Sequence, residues 1–202
     1  MSQETDLVTE ELKVLVGLIA RACEREADDT FLDEIRAYVD DPATGLCDEA
    51  RKLAERGAHQ LESALRAYDK AEDAKLWRDY LDASYAEHFL GVTPKGIEPT
   101  ESCYLGDEHV LYAKQYFEVK GVMDDADFVV PRGFGEPADH IAMEWAFFGY
   151  LLDRDPDQAV QFKTRHMDAW MEQACKFIID EDDVGFYTGI ANLARAVLRE
   201  VG

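Results

Sequence analysis

Basic residues are scarce in this chain. Its 202 residues carry 21 Lys and Arg against 43 Asp and Glu, a formal charge of −22. Such a surface repels phosphate backbones, which argues against nucleic acid as a partner. It attracts a basic peptide or protein face, with a salt-dependent association rate. Read more plainly, the acidic charge only keeps the protein soluble. Cysteines are few. Cys23, Cys47, Cys103 and Cys175 lie far apart with no CxxC pair, which argues against a zinc ribbon or a thioredoxin-like motif and fits reduced thiols in a cytosolic protein. Long hydrophobic runs are missing as well. The longest, LKVLVGLIA (12–20) and IAMEWAFFGYLL (141–152), are too short to span a bilayer, and the second holds Glu144. The N-terminus MSQETDLVTEE is acidic where a secretory signal would be basic. The expectation is a cytoplasmic protein without a membrane span.

The motifs of common chemistries are absent too. There is no HExxH or ExxH, no GxSxG, no GxGxxG after a strand and no Walker loop, so neither a nucleophile with its base nor a phosphate cradle is identified. No β-alternation and no internal repeat stands out. The expectation is a protein that is not an enzyme and has no catalytic residue.

What the sequence does hold is helical periodicity. Leu12, Leu15, Val16, Ile19 and Cys23 form a stripe in a helix over 7–27. A short helix follows from Thr30, with Asp33 completing a capping box, through Tyr38. Leu53, Leu61, Leu65 and Tyr68 mark a third over 46–68, and 71–91 reads as a fourth, ended by Gly91. Residues 92–106 read as a long loop, 107–121 as a helix and 122–135 as a loop. Pro137 sits in the first turn of a helix through 152, and Asp155 caps another with Pro156 at its first position, running to Ile179. A last helix covers 184–200. The fold class expected is all-α, a single domain of about eight helices, with N-terminal helices over 1–121, a hinge or loop over 122–138 and C-terminal helices over 139–202.

The stretch GEPADH (135–140), running into the apolar helix, is the strongest candidate for function. Asp139 and His140 diverge on a regular helix, as adjacent residues do, so a catalytic dyad is disfavoured. Glu136 and Glu144, each four residues from His140, are better placed, but two such groups fall short of the three or four ligands a metal site needs, and no metal is expected. His59, His88 and His109 lie on polar faces, and His166 reads as a packed or capped helix histidine. The aromatic residues Trp77, Tyr80, Tyr85 and Phe89, and Trp145, Phe147, Phe148 and Tyr150, read first as core. The second set cannot all point one way, so that helix is either surrounded or opens one face into a groove for a basic amphipathic peptide.

EPADH followed by an apolar helix resembles the signature of the TorD/DmsD/NarJ-type family of redox-enzyme maturation chaperones. YAEHFLG (85–91), PTESCYL (99–105), HMDAW (166–170) and FYTGIANLARAVL (186–198) resemble further family segments, in the family's order. The resemblance implies an all-helical cytoplasmic chaperone. Its partners would be the catalytic subunit of a molybdenum-dependent oxidoreductase and that subunit's twin-arginine leader, held until cofactor insertion so that premature export is prevented. It also implies a monomer or a domain-swapped homodimer, and at most indirect contact with the molybdopterin cofactor or weak guanine-nucleotide binding. Carried over by position, leader or client binding falls to Tyr85, Phe89, Pro99, Ser102, Tyr104, Glu136, Asp139 and His140. Asp139 is expected to serve an arginine or fix a backbone donor, and His140 to donate to a nearby carbonyl. Where relatives often have Pro-Pro-Trp before the serine, this chain has Pro99-Thr100-Glu101, which removes a large apolar anchor. Assembly of a nitrate reductase, a plain helical adaptor and a nucleotide-hydrolysing enzyme are the alternatives.

Overall fold

Ten α-helices form in the computed structural model, which describes residues 2–92, 99–106, 110–130 and 134–201, with side chains from residue 10 onward. In chain order they are α1 (Ser2–Glu24), α2 (Asp29–Asp40), α3 (Asp48–Asp69), α4 (Ala74–Phe89), α5 (Glu101–Leu105), α6 (Lys114–Asp125), α7 (Ile141–Arg154), α8 (Pro156–Phe162), α9 (Met171–Glu181) and α10 (Phe186–Glu200). A π-helical turn, Lys163–Met167, follows α8. No strand is present among the described residues; one isolated antiparallel bridge joins Thr100 to His140. The chain is all-α, as its periodicity predicts.

α10 is the central post. It buries residues on every side, from Phe186 and Tyr187 through Leu193 to Val197, as a helix surrounded by others must. α3, α1 and α9 pack around it. Its closest approach is to α3, where Gly57 faces Gly189. A methyl group on Gly189 would stand 2.6 Å from Leu61 Cγ and 3.1 Å from the Gly57 carbonyl oxygen, so both glycines are set by space. α7 packs against α1, and its Trp145, Phe147 and Phe148 are fully buried. Of the two options for this helix, it is surrounded at these three rings, and Tyr150 is half-buried.

Several boundaries differ from the sequence reading, each for a local reason. α2 starts at Asp29 because Asp28, not Thr30, caps it, taking the Phe31 amide at 2.9 Å. The segment read as a loop over 92–106 contains α5, a single turn capped by Thr100. The helix expected over 107–121 is shifted to α6. Its expected start at 107–109 lies outside the described residues, and Tyr112 at φ 59 breaks the run before Lys114. Pro137 is not in α7, because the backbone around Asp139 and His140 is engaged by the 99–101 segment and leaves His140 extended as the N-cap. The helix expected from Pro156 to Ile179 divides into α8, the π turn and α9. Within the break, buried Lys163 reaches Asp168 at 2.9 Å, and His166 and Trp170 turn inward. Asp155 does cap α8, accepting from the Gln158 amide at 3.0 Å, with Pro156 in the first turn. His88 is buried, not on a polar face.

The α3–α10 contact sets a test of this packing. Gly189→Ala is expected to lower stability in urea unfolding by about 1–3 kcal/mol, the usual cost of overpacking a filled core. Gly121→Ala, where an added methyl meets nothing within 4 Å, is expected to hold or raise it.

Candidate functional site

The Asp139-His140 pair is a knot joining three helix ends. One Asp139 oxygen, Oδ2, accepts from the Ser102 amide at 2.9 Å, and the Thr100 hydroxyl accepts from the Cys103 amide at 3.3 Å. Together they satisfy first-turn donors of α5, where a carboxylate is also favoured by the helix dipole. His140 Nδ1 accepts from the Ala142 amide at 3.2 Å and so caps α7. With Nδ1 an acceptor, the ring proton sits on Nε2, which donates to the Phe89 carbonyl at the end of α4, 3.2 Å away. The backbone completes the knot: Glu101 N–H donates to the Asp139 carbonyl and Ile141 N–H to the Pro99 carbonyl, at 2.9 and 2.8 Å. Asp139 thus fixes a backbone donor and His140 donates to a carbonyl. Both are buried, at 0% and 1% exposure, so neither stands at an open groove mouth. Burial pushes His140 down to about 4, the Phe89 bond opposing it, so the ring is neutral.

Beside the knot lies a buried acid cluster that sequence reasoning missed. Glu144 accepts from Trp170 Nε1 at 3.1 Å, and Glu101 accepts from His166 Nδ1 at 3.0 Å. All four side chains are buried. Burial first, and then the Glu101 charge, hold Glu144 well above the usual carboxylate range, so it is the proton-bearing member. The signal for Glu144 was a carboxylate inside an apolar run. For Glu101 it was the replacement of an aromatic anchor by an acid whose partner, His166, lies 65 residues on.

The remaining candidates divide by exposure. Phe89, Ser102 and Tyr85 are buried, Tyr85 lying against Phe89 and Tyr187. Pro99 is buried with its carbonyl on Ile141. Tyr104 packs against Trp170, ring centroids 5.1 Å apart. Glu136 lines a surface groove of about 240 Å³ with Tyr112, Tyr116, Phe128, Val130, Lys120 and Asp124, the last two paired at 2.6 Å. Tyr112 and Tyr116 meet edge to face at 5.0 Å, and Tyr112, Phe117 and Val129 stand 54%, 65% and 83% exposed nearby. Ser102 Oγ accepts from the Tyr116 amide at 3.3 Å, which ties this aromatic wall to the buried knot. Among the described residues no helix is long and apolar enough to cross a membrane, and no three His, Cys, Asp or Glu are grouped to hold a metal.

Two tests follow from the knot and the cluster. Asp139→Ala is expected to cost about 1.5–3 kcal/mol in urea unfolding, the range for a buried hydrogen bond to a charged group. The pH profile has two opposed parts. His140 is neutral when folded at about 4 but titrates near 6.5 unfolded, so stability is full above 6.5 and falls by up to about 3 kcal/mol as pH drops to 4. Glu144 acts in the other sense: its raised value costs stability as pH rises above its unfolded 4.5. Glu144→Gln, which keeps the Trp170 acceptor, is therefore expected to exceed the native chain in melting temperature at pH 7.5. The difference should vanish near pH 4.

Comparison with known proteins places these residues in a family. The model of the nitrate reductase delta subunit family matches residues 47–176, well over half of the chain and inclusive of the knot and the acid cluster. The chaperone protein TorD of Vibrio atlanticus is 28% identical over 195 residues, which cover 90% of this chain and 86% of that one. TorD of Photobacterium profundum is 31% identical over 146 residues, 65% of each chain. TorD of Shewanella oneidensis is 29% identical over 126 residues, 59% of this chain and 58% of its own. The chain belongs to the nitrate reductase delta subunit family, that of the TorD- and NarJ-type maturation chaperones.

Proposed function

We propose that this protein is a cytoplasmic, non-catalytic chaperone of a molybdenum-dependent oxidoreductase, which binds the twin-arginine leader of the catalytic subunit and holds the apoprotein until its cofactor is inserted. The observation that carries the reading is the aromatic groove of Tyr112, Tyr116 and Phe128 with Glu136 on its rim, anchored to the knot through Ser102. A leader has a paired-arginine end and an apolar stretch. Tyrosine and phenylalanine faces take the apolar stretch, since aromatic rings supply large contact area. The Glu136 carboxylate and the net charge of −22 draw the arginines and speed the encounter. Tyr112 holds φ 59, a left-handed conformation that costs energy for an aromatic residue and is met chiefly where function requires it.

Within this reading Asp139 and His140 do not touch the leader. They position the wall that does: the knot holds α5, and Ser102 of α5 holds Tyr116. Glu136 and the aromatic residues are the contacts.

Isothermal titration with the leader of a molybdoenzyme encoded beside this protein tests the proposal, at low and high salt. Salt-sensitive binding is expected, at micromolar Kd or tighter, and lost when both leader arginines become glutamine. Glu136→Lys and Tyr116→Ala are each expected to weaken binding about tenfold, roughly 1.4 kcal/mol. A leader bound equally by both variants would refute the groove, and no binding to any leader would refute the leader-directed role.

A further inference from the structure

A second groove lies on another face, between α1 and α2, with a volume of about 590 Å³. On α1 it is lined by Lys13, Val14, Gly17 and Leu18. On α2 and its cap it is lined by Glu34, Ala37, Tyr38 and Asp41. The second set repeats at i, i+3, i+4 and i+7, and Val14, Gly17 and Leu18 at i, i+3 and i+4, so each wall is one helical ridge. Two ridges with a furrow between them form the seat into which a third helix packs.

The furrow is open at Gly17, where an added methyl would meet nothing within 4 Å. Val14 beside it stands 55% exposed. Tyr38 closes the furrow from below, only 6% exposed and with its hydroxyl oxygen buried inside the protein.

The rim decides what kind of helix fits. Glu34 and Asp41 are exposed along one wall. The cation lining the other wall, Lys13, is already held by Glu10 at 3.0 Å and Asp153 at 2.8 Å. A second copy of this chain is a poor occupant, since each copy carries −22 and would bring acid to an acidic rim.

We propose that this slot seats an amphipathic helix of a partner protein, with small apolar side chains in the furrow and Lys or Arg along the edge facing Glu34 and Asp41. The close approach that Gly17 permits brings the helix backbone down between the two ridges. This site is separate from the leader groove, and its chemistry does not depend on the leader reading.

The probe is a synthetic helical peptide of about five turns, with Leu and Ala on one stripe and Lys on the flanks. Its control carries Glu in place of every Lys. Titration is expected to show salt-sensitive binding of the Lys peptide and none of the Glu peptide. Gly17→Leu fills the furrow and is expected to weaken binding at least about tenfold, while its melting temperature holds or rises, because the site is open and leucine favours helix over glycine. Glu34→Lys with Asp41→Lys is expected to reverse the preference toward the Glu peptide. Equal binding by Gly17→Leu would overturn the proposal, showing only attraction to the acidic surface. So would sedimentation showing a dimer that Gly17→Leu abolishes, since the occupant would then be a second copy. Binding of the Lys peptide unchanged by saturating leader supports two separate sites, and failure of leader binding leaves this titration fully readable.

Discussion

The rest of the site depends on a tautomer. His140 Nδ1 must accept the Ala142 amide to start α7, which leaves Nε2 to carry the proton to the Phe89 carbonyl. A protonated ring could not cap α7, since both nitrogens would be donors, and burial excludes that charge. Asp139, one residue earlier, is held by the opposite logic: it must be an acceptor for the Ser102 amide at the start of α5. Adjacent side chains diverge, as a dyad cannot tolerate, but a knot requires it. The divergence that argues against catalysis lets one dipeptide bind two helix starts and one helix end.

The acid cluster extends this economy inward. Two carboxylates, Glu101 and Glu144, and one imidazole, His166, are buried together, and ionising both acids there would be costly. Holding the proton on Glu144 removes one charge, while His166 donates to one Glu101 oxygen and Trp170 to one Glu144 oxygen. The π turn is the backbone's accommodation. It places His166 over Glu101 and Lys163 against Asp168, while α9 resumes only after Trp170. A regular helix from Pro156 to Ile179 would not present these three side chains in this way, which is why periodicity alone overran the break.

How far the sequence was legible follows from the range of each interaction. Apolar spacing over three or four residues set α1, α3 and α10, and the Asp155-Pro156 cap was readable because cap and helix are neighbours. The role of Asp139 as a holder of a backbone donor was also within reach. What was not legible is pairing at long separation. Thr100 with His140, Glu101 with His166 and Glu144 with Trp170 are 40, 65 and 26 residues apart, and each moves a helix boundary or buries a charge without any local signal. His88 failed for the same reason: its ring lies among Phe89, Phe177 and Tyr187, and two of these belong to other helices.

Charge and shape divide the work of recognition in such a molecule. A net charge of −22 acts over roughly a Debye length, about 8 Å at physiological salt, so it gathers any basic chain to any face and distinguishes none. Discrimination has to come from places where apolar surface is left open and water can be displaced. Two such places differ in kind. The groove of Tyr112, Tyr116 and Phe128 is walled by rigid rings, which suits an extended apolar segment that presents side chains to both walls. The furrow has one small residue on each ridge, Gly17 and Ala37, which suits a helix that presents its backbone closely. A chaperone that reads both a leader and a structured segment of the same client would gain from having the two surfaces on different helices, since an occupant of one leaves the other free.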